Sequence, residues 1–169
     1  VCLSHDHEDL IKTDHAAMEC IDPNRREQDR DNYIWIRDAE KNQLVVGTEA
    51  RILYQDAAGR LKIALKFNDM VRRGEVGPIM IGRDHHDVSG TDSPFRETSN
   101  IRDGSNVMAD MAVQCFAGNC ARGMSLVALH NGGGVGIGKA INGGFGMVLD
   151  GSRRVDEILR QAMTWDVMG

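Results

Sequence analysis

Apolar residues in the first quarter of the chain recur at helical spacing within a highly charged surround. From about Glu8 to Asn42, Leu10, Ile11, Asp14 and Met18 share one arc, and Asn32, Tyr33, Ile34, Trp35 and Ile36 form the next apolar patch. Pro23 suits a first turn and not a helix interior, so it separates two helices. Leu44, Val45 and Val46 before Gly47 predict a short strand or strand-like connector. Arg51, Ile52, Leu53 and Tyr54 predict another, ahead of a turn at Ala57, Ala58 and Gly59. From Arg60, the positions Ile63, Ala64, Phe67, Met70 and Val71 define an amphipathic helix that Gly74 stops.

The rest of the chain alternates strand and helix. Pro78, Ile79, Met80 and Ile81 are continuously apolar, as in strands buried on both faces of a parallel sheet. Val107, Met111 and Cys115, with Met108, Ala112 and Phe116, mark a helix, and Leu126 to Leu129 a second apolar strand. Met147, Val148 and Leu149 form a third, before a helix from Ser152 to about Met163. This order predicts an α/β fold, a layered α/β/α sandwich with a mostly parallel sheet. Residues 1–46 are its charged helical lead-in, and residues 47–169 the α/β part that carries the site.

Composition narrows the function. Twenty basic and 25 acidic residues give a net charge of −5, with no basic block and only four Phe and two Tyr, which disfavours nucleic-acid binding. No apolar run approaches the roughly 18 residues of a membrane span, and no signal-peptide pattern opens the chain. A soluble cytoplasmic protein is expected. Cys2, Cys20, Cys115 and Cys120 form no C-x-x-C pair and are expected to be free thiols, those of Cys20 and Cys115 buried and inert. A start at Val1 and a stop at Gly169, just after Met163, Trp165, Val167 and Met168, lead us to expect a segment of a longer polypeptide.

Two stretches carry the candidate chemistry. In Gly77–Asn100, an apolar strand runs into Arg83, Asp84, His85, His86, Asp87, Asp92, Arg96 and Glu97. The C-terminal ends of strands in open α/β sheets are where ligands bind. Asp84 or Asp87 beside His85 and His86 can exchange protons near neutrality, and Arg83 and Arg96 offer forks that match a carboxylate. The second stretch runs from His130 through Gly132, Gly133 and Gly134 to Gly146. The first 46 residues hold no glycine, whereas Gly132 to Gly151 hold nine. Glycines let main-chain N–H groups converge on an anion and let a flat ligand approach the backbone, and Asn142, Gly143 and Gly144 are expected to continue that surface. Neither G-x-G-x-x-G nor a P-loop is present, so a flexible turn competes with a ligand loop. His5, His7, His85, His86 and Asp87 match no established zinc spacing, and no metal is expected.

Taken together, the phrases VVGTEARILY, KIALKFNDMVRRGE, GPIMIGRDHHDVSGTDSPFRETSNIRDGS, ADMAVQ, ALHNGGGVGIGKAINGGFGMVLDG and WDV resemble the urocanase (urocanate hydratase) family over essentially the whole chain. The resemblance implies the C-terminal portion of a polypeptide about three times as long, the second half of the urocanase core domain. The inserted NAD-binding Rossmann-like domain and the N-terminal half would then lie outside this chain. It further implies a cytoplasmic homodimer of histidine degradation, formed through the full-length chain, which adds water to urocanate. Tightly bound NAD would act as an electrophile, with no net hydride transfer.

By the same resemblance, Gly134 meets NAD, with Gly132, Gly133 and His130 beside it. Arg96 pairs with the substrate carboxylate, helped by Arg83, and Asp87 contacts the imidazole and mediates a proton, with Asp84 and His86 as further catalytic candidates. Many bacterial members read ARIC where this chain reads Ala50, Arg51, Ile52, Leu53, so a thiol at that position takes no part here and Leu53 is expected to shape an apolar wall. The isolated segment is expected to be inactive. Two rivals remain: a hydratase of a thio or methylthio urocanate, and a non-catalytic α/β module whose charged loops bind a protein.

Overall fold

Three of the helices begin where a short polar side chain meets free N–H groups. In chain order the elements are α1 (His7–Cys20), α2 (Glu27–Arg37), α3 (Ala57–Arg72), β1 (Ile79–Asp87), α4 (Asp110–Ala121), β2 (Leu126–His130), β3 (Asn142–Leu149) and α5 (Arg153–Met168). They belong to a computed structural model that describes residues 1–45, 47–87, 110–130 and 142–168. Asp6 caps α1 by accepting from the Glu8 N–H at 2.9 Å. Asp56 caps α3 through the Gly59 N–H at 2.9 Å, and Ser152 caps α5 through the Val155 N–H at 3.2 Å.

Pro23 lies between α1 and α2, as its fixed φ requires. Ala57, Ala58 and Gly59 are the first turn of α3 and not a separate turn, because the Asp56 cap draws them into the helix. At the other end Gly74 takes φ +70°. Its N–H bonds the Val71 carbonyl, and the Glu75 N–H bonds the Met70 carbonyl, the paired arrangement of a Schellman motif. Gly123, with φ +76°, ends α4 in the same way.

The chain divides into two units, Val1–Ile81 with Val148–Met168, and Gly82–Met147. In the first, α3 packs along α5 and α1, and α1 against α2. Leu10, Ala17, Ile63, Phe67, Met70, Leu159 and Met163 are buried there. Fully buried Asn68 ties α3 to the start of α5. Arg72 also donates to the Gly151 carbonyl at 2.7 Å, and Arg60 pairs with Asp166. In the second unit α4 lies against β2, with Met124, Phe145 and Met147 buried.

The three strands form one small sheet in the order β1-β3-β2. Leu126 pairs with Gly146, Ala128 with Gly144 and His130 with Asn142, antiparallel throughout. The fold is therefore mixed α/β, but the described strands form an antiparallel sheet and not the mostly parallel sandwich expected. Too few residues separate His130 from Asn142 for the crossover of a dozen or more that parallel neighbours need. Among the described strands β2 lies at an edge and is not buried: Leu126 is 52 % exposed and Leu129 39 %.

Neither strand expected between Leu44 and Tyr54 forms among the described residues, and Val46 lies outside them. Asn32 on α2 takes the place of a neighbouring strand. Its side chain accepts from the Tyr54 N–H at 3.1 Å and donates to the Tyr54 carbonyl, so the backbone is satisfied without a ladder.

Candidate active site

The candidate site is built at one end of the strands in the second unit. β2 ends at His130 and antiparallel β3 begins opposite it at Asn142, so residues 131–141 join two neighbouring strands. β1, antiparallel to β3, ends at Asp87, which brings its C-terminus to the same end of the sheet. β1 and β3 approach closely enough that a Cβ on Gly82 would lie 2.8 Å from the Phe145 carbonyl oxygen, and β3 and β2 closely enough that one on Gly143 would lie 3.1 Å from that of Ala128. Only glycine permits this spacing at Gly82, where backbone and not a movable side chain is in the way. Both segments singled out from sequence therefore leave the described strands at one end of the sheet.

The placement of individual residues differs from expectation. Arg83, Asp84, His86 and Asp87 belong to β1 itself, which runs through the charged run before it ends, and are not a loop beyond an apolar strand. Asn142, Gly143 and Gly144 are the first residues of β3, paired with His130, Leu129 and Ala128, and so are part of the sheet. His130 is the half-buried last residue of β2. Arg96, Gly132, Gly133 and Gly134 lie outside the described residues. Among the described residues no group of His, Cys, Asp and Glu can hold a metal ion.

The first unit contains a polar assembly that sequence reasoning missed. Arg51 donates through Nε and Nη2 to both carboxylate oxygens of Asp14, the shortest contact being 2.6 Å, with both side chains almost wholly buried. Its Nη2 also reaches Glu40 at 2.8 Å, and Nη1 donates to the Leu44 carbonyl. Glu40 and Glu49 in turn hold the two ring nitrogens of His7, at 2.8 and 2.7 Å. The two hydrogen-bonded carboxylates, Glu49 foremost, raise the His7 pKa above its ordinary value. The extended segment that contains Arg51 and half-buried Leu53 is thus fixed by side-chain bonds to three other parts of the chain. A charged Arg between Ala50 and Ile52 was the available signal.

The four cysteines are free. Cys2 is buried, Cys20 and Cys115 are half-buried and Cys120 is exposed, so Cys115 is less sheltered than its apolar arc suggested. Burial pushes the thiols of Cys2 and Cys20 above their ordinary pKa and away from the nucleophilic thiolate.

Fold and site define a mixed α/β domain whose polar strand end and glycine-rich connection share one end of a small sheet. The urocanase C-terminal domain profile matches residues 1–169, and the chain belongs to that family. It is 53 % identical over 176 residues to urocanate hydratase of Mus musculus, 54 % to a probable urocanate hydratase of Caenorhabditis elegans and 51 % to urocanate hydratase of Homo sapiens. Each match covers 99 % of this chain and 26 % of the relative. The chain thus spans about a quarter of these relatives, at their C-terminal part, a smaller share than the third expected. No helix among the described residues is long and apolar enough to cross a membrane.

Proposed function

We propose that this chain is the C-terminal part of a urocanate hydratase, a hydro-lyase that adds water to urocanate to give imidazolone propionate. The observation that carries the reading is an identity of about half over 99 % of the chain to proteins of that name. The shared end of the strands supports it, since a polar strand end and a glycine-rich connection starting from one end of a sheet suit a flat azole held against a flat cofactor ring.

In this reading the complete polypeptide works as a cytoplasmic homodimer with NAD. The glycine content of the connection fits that cofactor: main-chain N–H groups of Gly132, Gly133 and Gly134 suit a phosphate or carboxamide, with His130 at the strand end beside them. When bound, NAD supplies an electrophilic ring and undergoes no net hydride transfer. Arg96 grips the substrate carboxylate through its guanidinium fork, and Arg83 adds positive charge to the same end. Asp87 takes the azole N–H proton as electron density leaves the ring and returns it as water adds, the two-way transfer of a general acid–base group. Asp84 and His86 assist in proton transfer.

Loss of urocanate absorbance catalysed by the complete polypeptide with NAD tests this. Turnover that falls sharply on changing Asp87 or Arg96 is expected. Absence of turnover with urocanate, or faster turnover of a methylthio analogue, replaces the assignment.

A further inference from the structure

The first residues of the chain occupy the positions of a strand. The Val1 nitrogen donates to the Met80 carbonyl at 2.8 Å, and the Met80 N–H donates back to the Val1 carbonyl at 2.8 Å. Cys2 lies opposite Ile79 in an antiparallel bridge, and the Leu3 N–H donates to the Pro78 carbonyl at 2.9 Å. The reciprocal bonds make Val1 and Met80 a hydrogen-bonded pair of an antiparallel ladder. The single bond at Leu3 follows because Pro78 has no N–H to return.

This pairing uses the side of β1 away from β3, the outer edge of the three-stranded sheet. An antiparallel ladder has no freedom of register once one pair is fixed. Each step back from Val1 moves one residue forward from Met80, to Ile81, then Gly82, and on toward Asp87. By the same alternation the N–H and C=O of Gly82 face the outer edge, as those of Met80 do, and Gly82 is exposed. A strand edge left in this state is a template for another strand.

We propose that in the complete polypeptide the roughly seven residues immediately before Val1 form a fourth strand antiparallel to β1, entering the sheet beside Asp87 and running down to Val1. The proposal rests on the reading of this chain as the C-terminal part of a longer protein, as its coverage of the relatives indicates. The occupant of the edge is the preceding chain and not a second copy, because Val1 already holds the last rung of the ladder. The candidate site then has a wall that this segment alone does not supply: the Asp87 edge is flanked on its outer side by backbone from the preceding part of the protein.

A cysteine pair in the complete polypeptide tests the register. One cysteine replaces the residue immediately before Val1 and the other is Ile81→Cys, in a Cys2→Ser background that removes the nearest native thiol. These positions oppose each other as a non-hydrogen-bonded pair, at the separation a disulfide spans. Mild oxidation followed by peptide mass mapping is expected to give the disulfide in at least about tenfold higher yield than when the first cysteine is moved one residue upstream. Equal yields, or no disulfide, overturn the strand.

Amide exchange in the unaltered complete polypeptide gives a second reading that needs no substitution. The Gly82 N–H is expected to exchange on the order of a hundredfold more slowly than an unstructured amide, and free exchange there also overturns the proposal. Neither measurement reads catalysis. A polypeptide that hydrates urocanate but leaves Gly82 unprotected removes the strand alone, and one that cross-links without hydrating urocanate removes the function alone.

Discussion

Asn68 holds the backbone at Gly151 in place from inside the core. Its Oδ1 accepts from the Gly151 N–H at 2.8 Å, while its Nδ2 donates to the Ser152 carbonyl at 2.9 Å and to the Asp156 carboxylate at 2.7 Å. One fully buried amide thus satisfies three groups where β3 gives way to α5. Asn68→Leu keeps the volume but leaves the buried Gly151 N–H without its acceptor, whereas Asp156 and the Ser152 carbonyl keep Arg72 as a partner. A buried orphan costs about 1–3 kcal/mol, so a loss of unfolding free energy of that size is expected, read as a lower urea midpoint with little change in slope.

The same junction separates two glycines that otherwise look equivalent. Gly74 and Gly151 have φ of +70° and +82°, but a Cβ on Gly74 would meet nothing, whereas one on Gly151 would lie 2.8 Å from the Arg72 backbone. Gly74→Ala is expected to cost about 1 kcal/mol, the price of a left-handed conformation alone. Gly151→Ala adds a collision with helix backbone, and its loss in thermal unfolding is expected to be at least twice as large. Equal losses would show that the backbone at Arg72 yields readily.

Asp29 is expected to contribute to acid sensitivity. Arg26 and Arg25 hold its carboxyl far below the ordinary value of 3.8, and Gln55 adds a further bond at 3.1 Å. A carboxyl with a depressed folded pKa contributes its stability in full above the unfolded value and loses it as pH falls toward the folded one. Between pH 5 and pH 2, roughly spanning the unfolded carboxylate range, the melting temperature of Asp29→Asn is expected to fall less steeply than that of the parent chain. Parallel curves would show that other carboxylates govern acid unfolding.

His7 works in the opposite direction. Its raised pKa means that the stability it contributes is complete below the ordinary value of 6.5 and is lost as pH rises through the folded value. An imidazole NMR titration is expected to place His7 above that ordinary value, and Glu49→Gln to bring it down. No movement in Glu49→Gln would mean that Glu40 alone sets the shift.

The two proposed site residues should separate in kinetics. In the complete polypeptide, Asp87→Asn is expected to lower kcat by about 10²–10⁴ with a small change in KM, the signature of a lost proton carrier. Arg96→Met is expected to raise KM, since a carboxylate grip is present in ground and transition states alike. The reverse pattern would exchange the two roles.

Much of the helical half was legible because its signals are local. Leu10, Ile63, Phe67 and Met70 show their periodicity without reference to the rest of the chain, and Pro23 and Gly74 are punctuation that only certain backbone angles allow. The strands were harder to read, since pairing partners decide them. Arg83–Asp87 has the composition of a loop, yet β3 lies alongside and draws it into β1, a context effect that outweighs intrinsic preference. Ile52, Leu53 and Tyr54 have the composition of a strand, but the Tyr54 backbone finds the Asn32 side chain in place of a ladder. The antiparallel course of β2 and β3 was present in the short gap between His130 and Asn142, although the apolar runs invited a parallel reading. The Arg51 assembly joins residues 7, 14, 40, 49 and 51, and no spacing rule links positions so far apart.

β3 meets β2 through Gly143, Gly144 and Gly146, so three of its five rungs present no side chain to the neighbouring strand. Backbone bonds hold that seam with few cross-strand side-chain contacts to reinforce them. Its cohesion is therefore carried by the main chain, and the register of β2 against β3 owes little to the matching of side chains.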